Sequence, residues 1–237
     1  MMIMLATIAI IFLAAMVKTT LGFGESLLAM PLLVMTVGLG AATPIVGFMG
    51  LALTLLMVGA HWRQIDLRAT WKLLAAALLG LPFGILLVRA VPGVVGLRLL
   101  GLVLIGFGLF SLLRPQIAVG LHPLWGYGFG FLAGVLGSAY NTSGPPLVLY
   151  SALRGWPPVQ FRATMQSFFL PISVLIVGAQ VASGLWTPWV LATALLALPA
   201  LLLAVPVGER LQRRIPVERF SRVVHGALVV LGLMLLR

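Results

Sequence analysis

Ten apolar runs, at about residues 3–17, 27–37, 43–60, 73–88, 96–113, 124–137, 146–153, 163–183, 188–207 and 223–236, follow one another with only short linkers between them. A chain patterned this way has no polar face to turn toward water. With 62% hydrophobic and 8% charged residues and a mean hydropathy of +1.18, too little polar surface remains to coat a soluble core, so lipid must be the solvent. Six runs approach the roughly 20 residues that a spanning helix requires. Helices satisfy their backbone polar groups within one segment, so an all-α polytopic membrane protein is expected, with no separate soluble domain.

Two runs are interrupted alike. Lys18-Thr19-Thr20-Leu21-Gly22-Phe23-Gly24-Glu25-Ser26 breaks the first half and Ser138-Ala139-Tyr140-Asn141-Thr142-Ser143-Gly144-Pro145-Pro146 the second. An interrupted helix leaves N–H and C=O groups unpaired, which lipid tolerates only where that backbone is buried in protein or lines a polar cavity. Paired breaks in corresponding halves point to the binding site of a transporter.

The net charge of +11 suggests nucleic acid in a soluble protein. Here most basic residues sit at the ends of apolar runs and read as topology and headgroup anchors, so no nucleic-acid partner is expected. Cysteine is absent, which excludes disulfides and thiolate chemistry. His61, His122 and His225 have no spacing that gathers metal ligands, and no metal or cofactor is expected. The first apolar run lacks a basic segment ahead of it and belongs to the repeated unit, so it reads as part of the fold and not as a cleaved signal.

The order of residues repeats. Leu81-Pro82-Phe83-Gly84, Val91-Pro92, Arg98 and Leu112-Leu113-Arg114 return about 124 residues later as Val205-Pro206-Val207-Gly208, Ile215-Pro216, Arg222 and Leu235-Leu236-Arg237. Near the breaks Gly24 falls on Gly144, Leu27 on Leu147 and Met30 on Tyr150. This is a duplication, with one repeat over residues 1–118 and the other over 119–237. If each broken segment crosses once, the copies are parallel; if it returns as a hairpin, they are inverted. Inversion places Arg63, Arg68, Lys72, Arg114, Arg154, Arg162, Arg210, Arg213, Arg214, Arg219 and Arg222 on one face against Arg89, Arg98 and Arg237 on the other, whereas parallel copies split the charges less cleanly. The positive-inside rule therefore favours two inverted repeats, each a broken helix or hairpin plus three spanning helices, with the basic face cytoplasmic and both termini outside.

The segment Gly22-Phe23-Gly24-Glu25-Ser26-Leu27-Leu28-Ala29-Met30-Pro31-Leu32-Leu33, its second copy from Gly134-Val135-Leu136-Gly137 through Gly144-Pro145-Pro146-Leu147-Val148, and the following Phe161-Arg162-Ala163-Thr164 resemble the sulfite exporter TauE/SafE family. The likeness extends over nearly the whole chain, including its duplication. It implies a multi-pass permease of the bacterial inner membrane for small sulfur-containing anions such as sulfite or organosulfonates.

Candidate site residues follow from the breaks. Asn141, Thr142 and Ser143 are capping types ahead of Gly144-Pro145-Pro146, so a helix starting here directs N–H groups and a positive dipole end into mid-membrane, where an oxyanion can bind. Gly22, Gly24 and Ser26 are the corresponding positions in the first half. Glu25 is the one acid inside an apolar repeat; a carboxylate at that depth must be neutral, paired or wet. It reads either as a proton-coupling residue or gate, or as the partner of Lys18. Lys18 in turn reads as an anion contact or as an anchor that snorkels to an interface. Arg162 and Gln166 stand one turn apart and can face one cavity. Gly101, Gly106 and Gly108 read as close helix contacts.

The leading expectation is a secondary transporter that binds a small anion between the breaks and works by alternating access. There is no Walker motif, so the chain does not hydrolyse ATP itself. An intramembrane enzyme acting on a lipid pyrophosphate would need several acids or clamping arginines around one cavity, and a channel or membrane subunit is the third class. A homodimer is left open by the sequence.

Overall fold

The computed structural model describes residues 2–57, 67–113, 120–214 and 217–236. His61, Arg63, Arg114, Ile215, Pro216 and Arg237 lie outside the described residues, as do the side chains of Arg68, Arg89, Arg162 and Arg213. Ten helices account for most of what is described: α1 (Met2–Leu21), α2 (Glu25–Val37), α3 (Leu39–Met57), α4 (Leu67–Ala90), α5 (Gly93–Leu113), α6 (Trp125–Tyr140), α7 (Gly144–Arg154), α8 (Pro158–Ala182), α9 (Pro188–Arg214) and α10 (Val217–Leu235). Among the described residues α1, α3, α4, α5, α8 and α9 are long and apolar enough to cross a bilayer. Helix α10 is similar in length but opens with Glu218, Arg219 and Arg222 in its first turns.

Both interruptions are helical hairpins: α2 packs back on α1, and α7 on α6. The first turn is made by glycines, with Gly22 at φ 90° and Gly24 at φ 96°, backbone that L side chains rarely adopt. The second has no glycine at the corresponding point. Asn141 adopts φ 53° instead, and the amides of Asn141 and Thr142 donate to the carbonyls of Gly137 (2.8 Å) and Leu136 (3.1 Å), a left-handed helix ending that asparagine tolerates. Pro145 and Pro146 then start α7.

Small residues decide how the helices meet. α4 and α6 run parallel at close range: a Cβ on Gly130 would strike the Leu73 backbone, one on Gly134 that of Ala77, and one on Gly80 that of Phe131. This is the tight approach that small residues permit in lipid, where dispersion and not water exclusion holds helices together. α5 and α10 pack antiparallel, Gly101 against Gly232 and Gly108 against Val229. Gly106 departs from the expected contact, because nothing lies within 4 Å of its Cβ position; in α5 it sits on a different side of the helix from Gly101 and Gly108.

The repeated motifs occupy like positions. Gly84 of α4 packs against Ser138 of α6, and Gly208 of α9 against Thr19 of α1. Ser138 Oγ donates to the Leu81 carbonyl (2.8 Å), while Thr20 Oγ1 donates to the Gly208 carbonyl (3.4 Å). The α1–α2 hairpin thus lies on α9, and the α6–α7 hairpin on α4. These pairings bring both hairpin tips together: the ring of Phe23 lies against Gly144, 3.4 Å from its Cβ position, and meets Phe161 and Phe107 edge-on.

Candidate functional site

Where the two tips meet, Gly24, Glu25, Ser26 and Leu27 from one hairpin and Asn141, Ser143 and Gly144 from the other line a single cavity. Its remaining wall comes from α3 (Val46, Gly47, Gly50) and α8 (Phe169, Ile172, Ser173, Ile176). The cavity is small, about 30 Å³, room for a water-sized occupant.

Its polar lining is under-used by the protein. Ser26 is 8% exposed and Ser143 5%, and neither hydroxyl has a hydrogen-bond partner among the described residues. Neither helix start receives a side-chain cap. The first N–H groups of a helix have no intrahelical acceptor, so α2 offers those of Glu25, Ser26 and Leu27; the next amide, of Leu28, returns to the Gly24 carbonyl. The start of α7 is poorer in donors than its capping residues suggest, because Pro145 and Pro146 carry no N–H. There Gly144 and the Ser143 hydroxyl remain. The two starts are unequal, and α2 is the richer in free backbone donors.

Glu25 and Lys18 form the charged element beside this lining. Lys18 Nζ lies 2.5 Å from Glu25 Oε1, and also donates to Thr54 Oγ1 (2.9 Å) and the Gly50 carbonyl (3.2 Å). Its ammonium stands 5.3 Å from the centre of the Phe169 ring, within cation–π range. At 1% exposure it does not snorkel to an interface, because the hairpin turn holds the end of α1 inside the protein. It stands behind Glu25, which lines the cavity while Lys18 does not. The pair is neutral as a unit, and the Glu25 carboxylate occupies the first position of α2, where the helix dipole favours negative charge.

The other expected residues are placed as follows. Gln166 is buried, and its Nε2 donates to the Gly22 carbonyl (3.3 Å), bracing the first hairpin's turn. Thr142 is fully buried and donates to the Tyr140 carbonyl (2.9 Å), away from the cavity. Arg162 lies in α8, its side chain outside the described residues. Ser173 and Gly47 were not singled out from sequence. A serine in mid-run at 173 and the Gly47–Gly50 pair in α3 were the available signals, but small residues are common throughout this chain.

The family model of the sulfite exporter TauE/SafE matches residues 7–235, nearly the entire chain. The chain belongs to the sulfite exporter TauE/SafE family. It is a multi-pass membrane transporter and not an enzyme, which removes the lipid-pyrophosphate alternative. Among its relatives, the "Probable sulfite/organosulfonate exporter TauE" of Cupriavidus necator is 27% identical over 236 residues, covering 91% of this chain and 86% of that protein. The "Probable inner membrane transporter protein TsaS" of Comamonas testosteroni is 29% identical over 184 residues, 75% of each. No solved structure matches the chain.

Proposed function

We propose that this TauE/SafE member is a secondary transporter of small sulfur-containing anions, sulfite or organosulfonates, in a bacterial inner membrane, and that it works by alternating access at the cavity between the hairpin tips. The observation that carries the reading is the lining: Ser26 and Ser143, two largely buried serines whose hydroxyls have no partner among the described residues, stand at two helix starts that face one cavity. Hydroxyls that line a cavity and make no bond within the protein are free to pair with an occupant. A tetrahedral or pyramidal oxyanion supplies several acceptors at once, and the free N–H groups of Glu25 to Leu27 complete its cradle. The family's description and the name of the Cupriavidus necator relative support the substrate class.

Glu25 supplies the coupling. With Glu25 ionised, the Lys18–Glu25 pair carries no net charge and gives an anion no electrostatic attraction. Protonation of Glu25 breaks that balance and leaves the Lys18 ammonium as the uncompensated charge, so proton and anion bind together and leave together. Alternating access fits two inverted repeats, residues 1–118 and 119–237. Supporting that arrangement are the reciprocal seats of Gly84 on Ser138 and Gly208 on Thr19 and the antiparallel α5–α10 pair. Lys72, Arg154, Arg210, Arg214, Arg219 and Arg222 lie at helix ends that this topology places on one face.

Proteoliposome flux tests the proposal. Saturable, pH-gradient-dependent uptake of labelled sulfite or a short organosulfonate is expected, and Glu25→Gln should abolish its dependence on the gradient. Flux that never saturates would instead mark a channel.

A further inference from the structure

One face of α8 carries Gln166, Phe169, Ser173, Ile176 and Gln180, spaced by three and four residues so that they form a single stripe. The middle of the stripe lines the site, and a glutamine closes it at each end. Gln166 Nε2 holds the Gly22 carbonyl of the first hairpin. Gln180 Nε2 holds Asn141 Oδ1 of the second (3.4 Å) and the Thr43 carbonyl of α3 (3.3 Å), while Asn141 Nδ2 donates to that same carbonyl (3.0 Å). Gln180 is 6% exposed, and its Oε1 is buried without a partner among the described residues.

Beyond Gln180 lies a second, larger cavity of about 370 Å³, mainly apolar, lined by Thr43, Ser138, Ile176, Ala179, Gln180 and Ser183 among others. Ile176 lines both cavities. The Gln180–Asn141–Thr43 bridges also join the two linings, since Asn141 lines the smaller cavity and Gln180 and Thr43 the larger. The larger cavity also touches Leu39 and Gly40 at the start of α3 and Leu185 after α8, so it lies toward the end of α8 remote from Arg154.

We infer that Gln180 is the gate between the anion site and an apolar vestibule that opens on the face opposite the basic helix ends. The bonds that hold it are long, and one of its two polar atoms has no partner among the described residues, so swinging it aside sacrifices little. Its seat is made by Gly47: a Cβ there would lie 2.6 Å from Gln180 Oε1, near enough to displace the amide. The inference rests on the proposed function for what passes the gate, but the gate itself can be tested without a substrate.

The absence of cysteine makes single thiols clean probes in the full chain. Ser183→Cys reports on the vestibule and Ser173→Cys on the site, each labelled with a membrane-impermeant maleimide in right-side-out and inverted vesicles. Ser183→Cys should react from the face opposite the basic ends. Ser173→Cys should react slowly, and about tenfold faster from that same face when Gln180→Ala or Gly47→Ala is added, since the latch is a few weak bonds. Two variants that unseat the amide differently guard against one that fails to fold. Labelling of Ser183→Cys from the basic face only, or Ser173→Cys rates unmoved by both variants, would overturn the gate. Protection of Ser173→Cys by methanesulfonate, an organosulfonate that does not react with maleimide, reads the anion site separately: gate-dependent labelling without protection supports the gate and removes the anion assignment.

Discussion

Lys18 and Glu25 are seven residues apart in sequence, on opposite sides of a chain reversal, and 2.5 Å apart in space. The ammonium is enclosed by a carboxylate, a hydroxyl and a carbonyl, so the protein has replaced most of the water it lost. Such a pair tolerates loss of both charges better than loss of one. Lys18→Met should therefore destabilise the protein by about 3–5 kcal/mol, leaving Glu25 buried and unpaired, and Lys18→Met with Glu25→Gln should recover part of that loss. Thermal melting in detergent compares the two, and equal losses would contradict the pairing.

The serines at the tips should behave in the opposite way. Because Ser26 and Ser143 have no partner among the described residues, Ser26→Ala and Ser143→Ala remove no hydrogen bond from the fold. Melting temperatures should stay within the range of ordinary mild substitutions, a shift equivalent to about 0.5 kcal/mol. A larger drop in either variant would show that these hydroxyls serve the structure instead of a ligand.

Glycines of the α4–α6 contact should tolerate nothing larger. Gly134→Val drives a side chain into the Ala77 backbone, which cannot rotate away, and overpacking of this kind costs about 1–3 kcal/mol or more. Gly106→Ala meets open space and should be neutral or slightly stabilising, since alanine is the better helix former. Melting curves of the two variants should separate clearly.

These contrasts show what was legible in the sequence. Length and hydropathy give the helices directly, because a bilayer leaves the backbone few other options. Gly22 and Gly24, and Asn141 ahead of Gly144-Pro145-Pro146, mark the breaks because positive φ and a proline start leave local signatures. Helix faces are less legible: Gly101, Gly106 and Gly108 look alike in a run that is apolar on all sides, and only packing separates the first and last from the one between. The surroundings of Lys18 were illegible for a related reason. Thr54 and the Gly50 carbonyl reach it from α3, more than 30 residues away, and no local pattern announces them. The donor-poor start of α7 was readable in principle, since Pro145 and Pro146 visibly lack the N–H groups that a capped helix start suggests.

The central claim is that one anion is held jointly by both hairpin tips, and the most direct measurement is sulfite or organosulfonate binding to the purified protein by ligand-induced thermal stabilisation. A ligand that binds only the folded state raises the melting temperature in proportion to the logarithm of its concentration. The account predicts a shift in the unaltered protein that grows with the logarithm of ligand concentration above Kd, and an affinity about tenfold weaker, or worse, in both Ser26→Ala and Ser143→Ala, as expected for a lost hydrogen bond to a charged group. An unchanged affinity in both variants would contradict it.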